Sequence, residues 1–188
     1  MKKHIILASN SPRRKELLAG LDLDFEVKVL PNVAENYPQN LPAVEVAGYI
    51  AREKADVYKT LITEDDLVIT ADTVVVVDNK VLGKPKDADD ARRMLHLISG
   101  RRHQVVTGVC LLTSTGYRSF SVTTDVTFKQ LSDDEINYYI KHFKPFDKAG
   151  AYGIQEWIGY VGVTSINGSY FNVMGLPVQR IWEEIHKL

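Results

Sequence analysis

Residues 67–78 read LVITADTVVVVD. Nearly every position is β-branched or otherwise apolar, without the alternation of a half-exposed strand. Such a run is a central strand, covered on both faces. A chain built around it has to supply neighbouring strands and helices to cover them. The preceding residues do so. The run 5–8 (IILA) reads as a short buried strand. Ser11 before Pro12 reads as an N-cap with proline at the first helical position, opening a helix with Leu17, Leu18 and Leu21 on one side and a stop near Gly20. Residues 25–29 read as a second strand, followed by a polar loop containing Glu35. Residues 42–60 read as a long helix whose apolar stripe is Val46, Ala47, Ile50, Ala51, Ala55 and Tyr58.

Beyond the central strand, Asp78-Asn79-Lys80 turns the chain into Val81-Leu82. Asp87 caps a helix with Ala91, Met94, Leu95 and Ile98 on one face, closed by Gly100. Residues 103–112 and 117–128 read as strands joined at Thr115-Gly116. The SDDE at 132–135 is a capping box, opening a helix with Ile136, Tyr139, Ile140 and Phe143 inward. KPFDKAGAYGIQ (144–155) is too rich in glycine for regular structure. Residues 157–166 and 169–173 read as a hairpin about Asn167-Gly168. A last helix from Pro177 turns Val178, Ile181, Trp182, Ile185 and Leu188 inward. The order predicts an α/β fold with a mixed, strongly twisted sheet flanked by helices. At 188 residues this is one domain, or two small lobes around a cleft.

A net charge of −1 supplies no global field toward nucleic acid or membrane, so any anion site has to be a local cluster. One cysteine, Cys110, excludes an internal disulfide and fits a reducing cytoplasm. The apolar run at the N-terminus is too short for a signal peptide, and nothing approaches the roughly 18 apolar residues that span a bilayer. The chain reads as cytoplasmic.

Several charged residues stand where charge is costly. Asp72 interrupts the central strand; a buried carboxylate needs a cation, a metal or the mouth of a site, or else it caps a turn at the strand end. Lys54 falls in the middle of an apolar helical stripe, either snorkelling or facing inward, while Arg52, Glu53, Asp56 and Lys59 fall off the stripe. Arg13, Arg14 and Lys15 crowd a helix start already positive from its dipole, a solvated surface or a place for an anion. Lys84 in LGKP, Lys148 and Glu35 carry little alone, and His103 reads as decorating a strand start. Taken together, cations at element ends and on inward faces, with the two hard carboxylates Asp72 and Glu35, describe a polyphosphate site with a divalent ion such as Mg²⁺. No GxxxxGK[ST] or GxGxxG element is present.

The ordered segments LASNSPRRKELLAGL, ADTVV, LGKP, LISGRRHQVVTGV and KAGAYGIQ resemble the Maf family of nucleoside triphosphate pyrophosphatases over nearly the whole chain. The resemblance implies a fold related to the inosine-triphosphate pyrophosphatases, with an elongated sheet and a deep cleft. It implies a hydrolase acting on acid anhydrides: a triphosphate cut to the monophosphate and pyrophosphate with Mg²⁺ or Mn²⁺. Asp72 matches the catalytic aspartate. Arg13, Thr73 and Gln155 match positions of substrate choice; Ser11, Arg14, Lys54 and Lys84 match the phosphate site. Glu35 matches an acidic residue near the metal, with Asp72 beside it. KAGAYGIQ resembles the dTTP/UTP branch, and the alternatives are 7-methyl-GTP or a non-catalytic nucleotide-binding regulator of septum formation. The resemblance implies a nucleoside triphosphate substrate and a homodimer. The near-neutral charge and the lack of an aromatic-basic stripe predict no nucleic-acid partner, and the lack of a long apolar stretch predicts no membrane. One departure stands out: many members follow the glutamine with glycine, and this chain has Glu156-Trp157.

Overall fold

A computed structural model describes residues 3–31, 33 and 35–188. Met1, Lys2, Asn32 and Ala34 lie outside the described residues, the last two within the polar loop expected around Glu35.

Outside residues 157–174 the elements follow the expected order. They are β1 (His4–Leu7), α1 (Pro12–Ala19), β2 (Phe25–Val27), α2 (Val46–Asp56), β3 (Asp66–Val77), β4 (Lys80–Leu82), α3 (Ala88–Ile98), β5 (Arg102–Thr113) and β6 (Gly116–Phe128), then α4 (Asp133–Phe143), α5 (Trp157–Gly162), β7 (Val163–Asn167), α6 (Tyr170–Met174) and α7 (Val178–Ile185). The strands form one mixed sheet in the order β2-β1-β3-β5-β6-β7, with β4 paired to β3. β1 runs parallel to both β2 and β3, whereas β4 is antiparallel to β3 and β7 to β6. As the unbroken apolar run predicted, β3 is buried along nearly its whole length.

The chain divides into two compact units: Met1–Asp72 with Thr107–Val122 and Gly175–Leu188, and Thr73–Val106 with Thr123–Met174. Each has its own core. In the first, Ala51 and Ala55 of α2 and Tyr58 just past its end meet Ile6, Val68, Cys110 and Leu112. In the second, Ala91, Leu95 and Ile98 of α3 and Ile136, Tyr139 and Ile140 of α4 pack with Val105, Val126 and Phe128 from the sheet. The expected caps are in place: Ser11 on α1, Asp87 on α3, and the full Ser132/Glu135 box on α4.

Three expectations fail. The helix read over 42–60 is a 3₁₀ turn at Ala43–Glu45 followed by an α2 that ends at Asp56. The hairpin about Asn167-Gly168 is instead helix, strand, helix. Ile158 and Gly162, four apart, are buried, and Gly162 packs on Leu131 and Phe128, so tertiary packing overrides the strand propensity of this apolar run. β7 then runs back along β6, and the Ser169 hydroxyl accepts the Asn172 N–H to open α6. The last helix, α7, ends at Ile185, short of Leu188; Trp182 and Leu188 are exposed, and the inward row of α7 is Val178, Ile181 and Glu184. The buried Glu184 carboxylate accepts from Arg118 (2.7 Å), Arg180 (2.8 Å) and Lys187 (3.0 Å), and these donors hold it well below the usual carboxylate range, at about 2.

Candidate active site

The chemistry-bearing residues of the first unit gather where β1, α1, α2 and β3 present their ends and inner faces. Ser11 leaves β1 in extended conformation, and its hydroxyl accepts the Arg14 N–H (3.4 Å) as the α1 N-cap. The hydroxyl of Ser9 accepts the Ser11 N–H (3.2 Å), so the turn is built from its own serines. Arg13 and Arg14 follow in the first helical turn. Arg14 donates from Nε to the Gly175 carbonyl (2.8 Å) and from Nη1 to the Ala71 carbonyl (3.0 Å), beside Asp72. Burial lowers its pKa from the ordinary arginine value, offset in part by Asp72 and, more weakly, Glu35.

Asp72 sits within β3, not at its end, so capping a turn is excluded as its role. Alternation along the strand puts positions 68, 70 and 72 on one face. Val68 packs on Ala51 and Ala55, and the buried Thr70 hydroxyl donates to the Ala51 carbonyl (2.6 Å), so this face looks onto α2. Gly108 lets the helix come close: a Cβ there would lie 2.3 Å from the backbone of Ala47 and Gly48. One turn on from Ile50 and Ala51, Lys54 therefore points at Asp72. Its Nζ lies 2.8 Å from an Asp72 oxygen and 2.8 Å from a Glu35 oxygen. Lys54 faces inward, and Glu35 is a half-exposed partner rather than a solvated loop residue. Off the stripe, Arg52 lies over the Tyr117 ring and near Asp56.

The remaining predicted residues belong to the second unit. Thr73 follows Asp72 on β3 and is half-buried; Lys84 is exposed after β4, next to Gly83, whose carbonyl accepts the Gly150 N–H (3.0 Å). Lys148 is buried, with its Nζ 2.8 Å from Asp147 and 3.1 Å from Glu156. The Gln155 Oε1 is buried without a hydrogen-bond partner among the described residues. The Tyr139 hydroxyl donates to Glu156 and accepts the Gly153 N–H (3.0 Å). His103 is buried, not decorative: its Nε2 pairs with the Tyr152 hydroxyl (2.7 Å), and burial drops its pKa to about 4. Thr70, Gly108, Tyr139 and Glu156 escape a reading of the sequence, because each matters through a contact distant along the chain. Only Glu156 left a trace there, as the departure after Gln155.

The profile of the Maf-like protein family matches residues 4–188. This chain belongs to the Maf-like protein family. Along its full length it is 61% identical to a dTTP/UTP pyrophosphatase of Phocaeicola vulgatus, covering 97% of that protein. It is 54% identical, over the same shares of both chains, to a dTTP/UTP pyrophosphatase of Bacteroides thetaiotaomicron. Among solved structures, a HAM1 protein from Coxiella burnetii has a similar fold, with a TM-score of 0.50 at 15% identity over 99% of this chain and 100% of that one.

In this Maf-like chain, two carboxylates converge on the Lys54 ammonium. Hard oxygens in that number fit a Mg²⁺ or Mn²⁺ ion that takes its other ligands from water and phosphate. Among the described residues, no three His, Cys, Asp or Glu side chains could hold a metal on their own. No helix among them is long and apolar enough to cross a membrane.

Proposed function

We propose that this protein hydrolyses dTTP and UTP to the nucleoside monophosphate and pyrophosphate. The carrying observation is the buried strand aspartate Asp72 facing the inward helix lysine Lys54, which Glu35 also contacts. The relatives named dTTP/UTP pyrophosphatase, aligned end to end with this chain, support the same reading. A divalent ion, Mg²⁺ or Mn²⁺, bound by Asp72 and Glu35 would neutralise charge on the triphosphate and acidify water.

The residues take the following parts. The α1 start, with the Ser11 turn, Arg13 and Arg14, receives phosphate oxygens, as helix N-termini and guanidinium groups do. Arg14, already braced on two carbonyls, holds its turn rigid beside Asp72. Lys54 exchanges a carboxylate partner for a phosphate oxygen, and Lys84 contributes a second ammonium. Asp72 accepts a proton from water as the water oxygen bonds to the α-phosphorus. The bond from that phosphorus to the bridging oxygen breaks, and pyrophosphate leaves. Positioning and charge stabilisation supply most of the acceleration.

Arg13, Thr73 and Gln155 set the choice of base. A carboxamide offers a donor and an acceptor side by side, complementary to O4 and N3–H of uracil or thymine. Cytosine reverses that pattern, and the mismatch leaves buried polar groups unpaired at about 1–3 kcal/mol each. UTP and dTTP are therefore expected to be preferred over CTP by at least about tenfold.

We further propose a cytoplasmic enzyme, without nucleic acid as partner, working as a homodimer. The exposed edge strand β7 lies in a segment, residues 157–179, that carries no Asp, Glu, Lys, Arg or His, and so offers an uncharged surface to a second copy. The test of the activity is pyrophosphate release from each triphosphate with Mg²⁺ or Mn²⁺. Release from dTTP and UTP is expected. No release from any triphosphate overturns the reading, and a preference for 7-methyl-GTP moves it to that substrate.

A further inference from the structure

A glutamine side chain can read uracil or cytosine, because turning its amide over exchanges donor and acceptor. Discrimination between them requires a carboxamide held one way round, and that requires a fixed backbone beneath it. The loop that carries Gln155 is held in an unusual manner. Gly150 and Ala151 both have positive φ (67° and 61°), a conformation that an alanine adopts only when its surroundings impose it.

The anchors converge on the two end residues of the Gly153–Glu156 turn. The Tyr139 hydroxyl, at the core of the second unit, accepts the Gly153 N–H at 3.0 Å and donates to the Glu156 carboxylate. One oxygen thus ties down both ends of the turn, with Ile154 and Gln155 between them. The Glu156 carboxylate also lies 3.1 Å from the Lys148 ammonium. Gly153 rests directly on this pair: a Cβ there would meet Lys148 Cε at 3.0 Å and Glu156 Cδ at 3.1 Å. The turn closes on itself through the Glu156 N–H to the Gly153 carbonyl (3.0 Å). Burial and the neighbouring Glu156 push the Tyr139 phenol up, so it remains a donor throughout the physiological range.

We infer that Glu156, clamped by Tyr139 and Lys148, is a positioning residue that fixes the orientation of Gln155 and thereby sets the selectivity for uracil and thymine over cytosine. The inference rests on the reading of Gln155 as the base-reading side chain. It gives Glu156, the departure noted in the sequence, a task in this chain.

The experiment measures kcat and KM for UTP and CTP on the full chain, in the wild type, Glu156→Ala, Glu156→Gln, Tyr139→Phe, Gln155→Glu and the double variant Tyr139→Phe/Gln155→Glu, with melting temperatures alongside. Glu156→Gln and Tyr139→Phe are nearly isosteric and keep the test available if Glu156→Ala fails to fold. Tyr139→Phe and Glu156→Ala are expected to lower the UTP:CTP ratio of kcat/KM by about fivefold or more, chiefly through KM for UTP. Glu156→Gln, which still accepts from Tyr139, is expected to retain more of the ratio. A purely structural loss would lower the rates on both nucleotides alike. In the Gln155→Glu background, Tyr139→Phe is expected to change the ratio by less than about twofold, since the two act through one group. The inference is overturned if Tyr139→Phe and Glu156→Gln keep the wild-type ratio while Gln155→Glu loses it, or if the double variant loses the sum of both effects. If Gln155→Glu itself leaves the ratio unchanged, the reading of Gln155 fails first.

Discussion

Two lysines in this molecule are each held between two carboxylates, and their surroundings differ in the respect that decides what each can do. In the first unit, Lys54 reaches from α2 to Asp72 on β3 and to the half-exposed Glu35. In the second, Lys148 lies in a loop between Asp147 and Glu156, and Glu156 is further bound by the Tyr139 hydroxyl. Lys54 and Asp72 belong to regular elements held together at Thr70 and Gly108, and only Glu35 comes from a loop, so the Lys54–Asp72 pair rests on the backbone of a helix and a strand. The Lys148 cluster has no regular backbone to rest on, and its ion pairs themselves hold the loop. On the proposed reading, the same charges serve as reactive equipment in one place and as scaffolding in the other.

The two lysines are expected to respond differently to substitution. Lys54→Met is expected to lower kcat/KM by roughly 10²-fold or more, as losing a charge that stabilises the transition state does. Arg52→Ala, on the outer face of the same helix, is expected to change it by less than about threefold. Lys148→Met is expected to act first on stability. It leaves a mostly buried Glu156 short of a partner, a loss of about 1–3 kcal/mol, or about 2–4 °C of melting temperature per kcal/mol in a chain of this size. Steady-state kinetics and thermal melts on the three variants check this. Equal kinetic losses from Lys54→Met and Lys148→Met would erase the distinction.

A finer probe concerns His103, which braces the loop of the second unit through Tyr152. Its pKa in the folded protein, about 4, lies below the unfolded value of 6.5. The unfolded chain therefore takes up a proton that the folded chain refuses. Its contribution to stability is complete above pH 6.5 and is lost as pH falls toward 4. The loss amounts to at most about 3 kcal/mol. Melting temperature followed from pH 7 to 4.5 is expected to fall in the wild type and to fall less in His103→Gln. Identical profiles would show that His103 does not carry the dependence.

What the sequence disclosed and what it concealed divide along physical lines. The β3 run, the α2 stripe and the three helix caps were readable because burial and capping are written in local spacing. Lys54 and Asp72 were readable as anomalies, each a charge inside an apolar pattern, though nothing local said that they meet. Residues 157–162 read as strand because Trp, Ile, Tyr and Val favour one in the absence of Phe128 and Leu131, against which Gly162 packs, while the strand expected there is present only from Val163 to Asn167. Glu184 was missed because its three cations come from Arg118 across the unit and from Arg180 and Lys187 on adjacent turns. The part played by Tyr139 is likewise invisible, since as an inward position of α4 it looks like any other core aromatic.

The central claim, that the Asp72–Lys54 pair turns over a nucleoside triphosphate, is tested most directly by Asp72→Asn. The amide has nearly the same shape but neither accepts a proton well nor neutralises a divalent ion. Pyrophosphate release from UTP and dTTP is to be measured for wild type and variant at equal concentrations of folded protein. A fall in kcat of at least about 10²-fold is expected, with no substantial drop in melting temperature. Turnover within about tenfold of wild type would contradict it.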